Sequence, residues 1–254
     1  MLPFDFRGAK ALIIGGGTGL GAAMAEALLS HGAEVCIASR TETTLTQRSD
    51  ELGRRHEARC TWASVDVRDP KSVESLFSTL AARYAGSLNI LIDCAGVNLR
   101  NKVEDISPEE WDSALRGNLS GAFYLARFGL PLLRKGGWGR FILVGSVLAR
   151  SAIALRASYG ANKAGMLQLV RSLAVEWAPY GITANSISPG PFLTEITKGI
   201  AADKAAYQKV CERIPAGRFG EPAEIATACL FLASRQSSYV TGADIAVDGG
   251  WAAG

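Results

Sequence analysis

The chain has 254 residues, 48% of them apolar, and 27 Lys and Arg against 24 Asp and Glu give a net charge of +3. That length and apolar content suit one α/β domain with a large core, and interspersed charges without a basic block argue against a nucleic-acid or membrane-surface partner. No apolar run reaches bilayer-spanning length, and Met1-Leu2-Pro3-Phe4-Asp5-Phe6-Arg7 lacks the basic-then-apolar layout of a secretory leader, so a cytoplasmic location is expected.

Strands and helices alternate along the chain. Continuous apolar runs at 11–14, 34–39, 60–65, 90–94, 141–146, 183–188 and 244–247 predict strands buried on both faces. Helical patterns lie between them at 21–29, 44–55, 70–84, 109–116, 119–133, 158–178 and 222–233. Asp69-Pro70 and Ser107-Pro108-Glu109-Glu110 each place a cap residue before proline, the second with acids in the first turn. This order predicts a single α/β domain over 1–254, a doubly wound parallel sheet of about seven strands with helices on both faces. One stretch, 191–221, breaks the alternation after a strand; it is helical in pattern from Pro191 to Arg213 and stands where a substrate lid would be inserted. Five cysteines, Cys36, Cys60, Cys94, Cys211 and Cys229, have no paired spacing and read as small buried hydrophobes in a reducing compartment. The two histidines, His31 and His56, lie near predicted helix ends, and no metal site is expected.

The first strand runs into Gly15-Gly16-Gly17-Thr18-Gly19-Leu20-Gly21 and then a helix. Glycines let backbone approach a pyrophosphate held at a helix N-terminus, where free N–H groups and the dipole favour anions. The second strand ends in Ser39-Arg40. An acid there would favour a ribose 2′-hydroxyl; a hydroxyl and a guanidinium suit a 2′-phosphate instead, so NADP(H) is expected over NAD(H). Further along, Tyr159 and Lys163 stand four residues apart on a predicted helix, with Ser146 at the end of a predicted strand. Residues i and i+4 share a helix face, and a phenol becomes a useful proton shuttle near neutrality only when a nearby cation favours its ionised form.

The spacing Gly15-x-x-x-Gly19-x-Gly21 resembles the glycine loop of the short-chain dehydrogenase/reductase family, a Rossmann-fold family, and matches continue in order to the end of the chain. The resemblance implies Tyr159 as the acid/base, Lys163 as the cation that tunes it and bonds the nicotinamide ribose, and Ser146 as the group that orients the substrate oxygen. Asn118 would hold a water linking Lys163 to solvent. It implies cofactor contacts from Gly15, Gly17, Thr18, Gly19, Leu20, Asp66 and Val67 (the last two at the adenine), Cys94, Ala95 and Gly96, Tyr159 and Lys163, and Phe192 and Thr194 at the nicotinamide. The chain also departs from the family. Ile14 stands where the loop usually opens with Thr, Thr18 where a second basic residue is often found, and Asp93-Cys94 where Asn-Asn is usual.

Among family branches, Ala95 to Arg100, Arg156 to Tyr159, Arg213 to Arg218 and Val247 to Trp251 look most like the sugar-acid dehydrogenases acting on gluconate or deoxyketogluconate. Arg100 and Arg156 would then meet a substrate carboxylate, which guanidinium binds in bidentate fashion. The 3-oxoacyl-thioester reductases are the alternative branch, and a non-catalytic cofactor-binding regulator the remote one. The partner expected beyond a small-molecule substrate is a further copy of the chain, in a homotetramer.

Overall fold

The computed structural model describes residues 4–57 and 59–253; Met1-Leu2-Pro3 of the N-terminal stretch lie outside them. Seven strands form one parallel sheet: β1 (Lys10–Ile14), β2 (Glu34–Ser39), β3 (Cys60–Ser64), β4 (Ile90–Asp93), β5 (Gly139–Val144), β6 (Ile182–Pro189) and β7 (Asp244–Val247), in the order β3-β2-β1-β4-β5-β6-β7. The chain winds outward from β1 to β3, returns to β4 on the other side of β1, and winds out again to β7. The direction reverses between β1 and β4, and a crevice opens beyond the C-terminal ends of those strands.

Helices α1 (Gly19–Ser30), α2 (Glu42–Arg55) and α9 (Pro222–Ala233) cover one face, and α3 (Pro70–Arg83), α5 (Gly121–Lys135) and α6 (Ala157–Trp177) the other. Strand residues alternate between the layers: Leu12, Leu91, Phe141 and Leu143 pack under α3, α5 and α6, whereas Ile13, Ile92 and Ile142 pack under α1 and α9. Burial on both faces is why the apolar runs of the inner strands are continuous, whereas the edge strands β3 and β7 are largely half-buried. The predicted caps form. Asp69 accepts from Lys71 N at 3.0 Å, and Ser107 and Glu110 exchange bonds of 3.1 and 2.9 Å at the start of α4 (Pro108–Leu115).

Two expectations are corrected in detail. The helical break between 116 and 119 is a π turn, Arg116–Ser120, that joins α4 directly to α5. The stretch after Pro191 is two short helices, α7 (Lys198–Ala202) and α8 (Lys204–Cys211). Asp203 ends the first and caps the second, accepting from Ala205 N and Ala206 N at 2.9 and 3.2 Å. This excursion has its own small core of Cys211, Ile214 and Phe219, with Trp251 from the chain end packed against it.

Candidate active site

A cavity of about 610 Å³ lies over the C-terminal ends of the central strands. Its floor at one end is the glycine loop. Gly15 has φ +76° and leaves no room for a side chain, since a Cβ would stand 3.0 Å from Cys94 O; a Cβ on Gly21 would run into the Gly15 carbonyl. Helix α1 starts at Gly19, two residues before the sequence pattern suggests. Thr18 takes the cap position without a side-chain cap bond, so the first-turn N–H groups are left for an anion. The loop is tied to its neighbours by two bonds: Gly15 N donates to Ala38 O at 2.7 Å, and Arg48 Nε of α2 donates to Gly17 O at 3.3 Å. Ser39, Arg40, Thr41 and Thr44 line the wall beside this loop. A cradle that a Cβ would fill, an uncapped helix start and a guanidinium with three hydroxyls fit the pyrophosphate and 2′-phosphate of NADP(H). The pair expected at the adenine is split. Val67 lines the cavity, but Asp66 does not, and its carboxylate is engaged by Arg68 at 2.6 Å, which holds it below the usual carboxylate range. Cys94, Ala95 and Gly96 also line the cavity, as do Phe192 and Thr194, and Thr194 stands beside the glycine loop, 3.5 Å from where a Cβ on Gly19 would be. Burial pushes the Cys94 thiol up to about 12, so it remains a thiol near neutrality.

The chemistry-bearing side chains converge at the same opening. Tyr159 sits in the first turn of α6, half-buried on the cavity wall. Lys163, one turn later, is buried; its ammonium donates to Val144 O at 2.7 Å and lies 5.7 Å from the Tyr159 ring centre. Ser146 lies just past the end of β5 in an extended conformation and caps a 3-10 turn, its Oγ accepting from Leu148 N at 3.1 Å. That leaves its O–H free to donate into the cavity. Asn118 does not line the cavity. It is buried in the π turn, where its Oδ1 accepts from Val97 N at 3.2 Å and its Nδ2 donates to Val97 O at 3.1 Å and Ala114 O at 2.8 Å. It clamps the loop after β4 through both backbone groups of one residue. The extra residue of the π turn places this amide behind the loop, a common use of such turns.

Arg100 and Arg156 both line the substrate end, close enough that repulsion from Arg100, after burial, lowers the Arg156 guanidinium. The cavity has an apolar wall of Leu148, Ile153, Ile196, Ile200, Val210 and Trp251, three of them from the 191–221 stretch where a substrate lid is expected; Arg48, which bonds the glycine loop, has no counterpart among the sequence expectations. Nothing local marks Arg48 in its helix. The wall is assembled from three remote segments. No group of three His, Cys, Asp or Glu side chains able to hold a metal occurs among the described residues, nor is any described helix long and apolar enough to cross a membrane.

Comparison with known proteins matches this architecture. A family profile described as Enoyl-(Acyl carrier protein) reductase covers residues 15–252. The chain is 35% identical to the 2-dehydro-3-deoxy-D-gluconate 5-dehydrogenase of Bacillus subtilis (strain 168), over 98% of this chain and 96% of that one. The chain belongs to the short-chain dehydrogenase/reductase family. It is therefore an oxidoreductase. As a short-chain dehydrogenase/reductase it is also 36% identical to the 3-oxoacyl-(acyl-carrier-protein) reductase FabG of Salmonella typhimurium, over 97% of this chain and 98% of that one. Among solved structures, a gluconate 5-dehydrogenase from Burkholderia cenocepacia J2315 in complex with NADP and tartrate superposes with a TM-score of 0.93 at 32% identity, covering 99% of this chain and 98% of that one.

Proposed function

We propose that this enzyme interconverts a secondary alcohol and a ketone with NADP(H), on a small carboxylate-bearing substrate of the sugar-acid type. The observation that carries the reading is the meeting of Tyr159, Lys163 and Ser146 at one end of a nucleotide-sized cavity, with Arg100 and Arg156 beyond them. When bound, the nicotinamide cofactor supplies or accepts the hydride. The protein handles the proton and the geometry. Ser146 donates to the substrate oxygen and orients it. In reduction Tyr159 gives its phenolic proton to the carbonyl oxygen, and in oxidation its phenolate takes the hydroxyl proton. Lys163, held on Val144 O, favours that phenolate. Asn118 keeps the loop after β4 against Lys163. The two guanidiniums hold the substrate carboxylate; a dicarboxylate, tartrate, accompanies NADP in the Burkholderia structure.

The apolar wall from Leu148 to Trp251 favours a second reading, reduction of 3-oxoacyl thioesters, whose acyl chains suit such a surface. A cofactor-coupled screen of sugar acids, polyols, ketones and 3-oxoacyl thioesters separates the two. Turnover of 5-ketogluconate without turnover of acetoacetyl thioesters supports the first, and the reverse pattern supports the second. Tyr159→Phe should keep the fold and cofactor affinity and lower kcat at least about 100-fold. A wild-type kcat in that variant refutes the proton assignment. Tight cofactor binding with no turnover across the panel would mark a non-catalytic regulator.

A further inference from the structure

The proposed function leaves one buried titratable group beside this site without a role. Asp93 ends β4 with 2% of its surface exposed. Its cross-strand partners, Ile14 and Leu143, belong to the layer beneath α3, α5 and α6, so strand alternation turns the Asp93 carboxyl to that face. One carboxylate oxygen accepts from Ala95 N at 3.0 Å. Lys163 reaches this face of the sheet from α6 without forming a direct ion pair with Asp93. Its ammonium bonds the carbonyl of Val144, the residue after Leu143, and a Cβ on Gly96 would stand 3.6 Å from Lys163 Nζ and 2.9 Å from Asn118 Oδ1. The cross-strand neighbours of Asp93 are neutral: Ile14 from β1 and Leu143 from β5. Cys94, next in the chain, carries a thiol, and its strand position turns it towards the layer of α1 and α9. Lys163 is the charge that Asp93 feels.

We propose that Asp93 is a positioning residue acting on Tyr159 through Lys163: its carboxylate partly neutralises the ammonium and so sets the pH at which Tyr159 exchanges its proton. The proposal rests on the reading of Tyr159 as the acid/base. Burial pushes the Asp93 carboxyl up to about 6, against the pull of Lys163 and the Ala95 N–H. It therefore titrates within the working range of an enzyme. Below that pH the ammonium acts on Tyr159 at full strength, and above it the carboxylate opposes the ammonium.

Asp93→Asn removes the charge and keeps an oxygen for the Ala95 N–H. In the alcohol-oxidation direction its pH–kcat profile should move to lower pH by about half to one unit, because an unopposed ammonium favours the phenolate; KM should stay within about twofold. A readout independent of turnover is thermal unfolding of the apoprotein. A carboxyl raised on folding contributes stability below its unfolded value near 4 that is lost as pH rises through about 6. The variant should therefore match the wild type near pH 4 and melt higher above pH 6. A superimposable pH–kcat profile, or a Tm difference that does not change with pH, overturns the proposal. If Asp93→Asn does not fold, carboxyl ¹³C NMR of Asp-labelled wild type and Lys163→Met decides. The Asp93 titration should move upward when the ammonium is removed, and an unmoved titration overturns the proposal. A wild-type kcat in Tyr159→Phe would instead overturn the underlying reading, so the two failures are distinguishable.

Discussion

At the scale of single residues, cofactor choice turns on the side chains at and just beyond the end of β2. Arg40 lines the cavity with Ser39, and Thr41 and Thr44 continue the same wall at the start of α2. A guanidinium among hydroxyls complements a phosphate and gains little from a ribose hydroxyl. Wild-type enzyme should therefore show a higher kcat/KM with NADP than with NAD. Arg40→Asp should reverse that order by placing an acceptor against the ribose and repelling the 2′-phosphate. Steady-state kinetics with both cofactors is the test, and a wild-type preference for NAD refutes the assignment. This residue was legible because it adjoins a readable strand end. Arg48 was not, because its bond to Gly17 O spans two elements and leaves no local pattern.

At the scale of elements, the sequence shows where strands and helices fall because the inner strands are apolar on both faces and several helices carry explicit caps. It reads less well where elements meet. The π turn appears in the sequence as a gap between two helices, since a one-residue widening has no compositional sign; Asn118 is the residue it turns inward. Arg140 of β5 is another such case, a cation within an apolar run. Its guanidinium is buried and donates to Gly139 O at 2.7 Å, Ser234 O at 3.0 Å and Arg235 O at 3.2 Å. It stacks on Trp138 with its centre 5.2 Å from the ring. The Ser234 and Arg235 carbonyls lie just beyond the C-terminus of α9, where a cation complements the helix dipole. No carboxylate salt bridge to Arg140 occurs among the described residues, and burial, with repulsion from Arg235, lowers it to about 10. Arg140→Met should leave these buried carbonyls without a donor and cost about 2–4 kcal/mol. Urea unfolding with both probes of structure and activity would read it, and an unchanged midpoint would show that water replaces the guanidinium.

At the scale of the whole molecule, the reversal between β1 and β4 puts the glycine loop, the end of β4 and the Tyr159 helix around one opening, so a linear set of motifs becomes a site. The apolar wall was legible only in part, as the 191–221 break in the alternation; the meeting of Leu148, Ile200 and Trp251 follows from the packing of that excursion against the chain end and leaves no local pattern. The outer surface bears on assembly. Two separate faces expose large apolar side chains. Beside the sheet edge at β7 are Phe231 of α9 and Tyr239, at 41% and 102% exposure; across the α5–α6 layer are Phe123 and Val175, at 47% and 78%. An unpaired strand edge and paired apolar faces are what self-association covers. If each face met its own copy, the two contacts would generate D₂ symmetry, because each supplies one two-fold axis and the third is then fixed. We propose a homotetramer on this ground and on the resemblance to the family. Light scattering at micromolar concentration should give a four-chain mass. The double change Phe123→Glu and Val175→Glu should reduce it to a two-chain mass by charging one patch while leaving the other intact. A one-chain mass for the wild type would refute the assembly, and an unchanged four-chain mass in the double variant would move that interface elsewhere on the molecule.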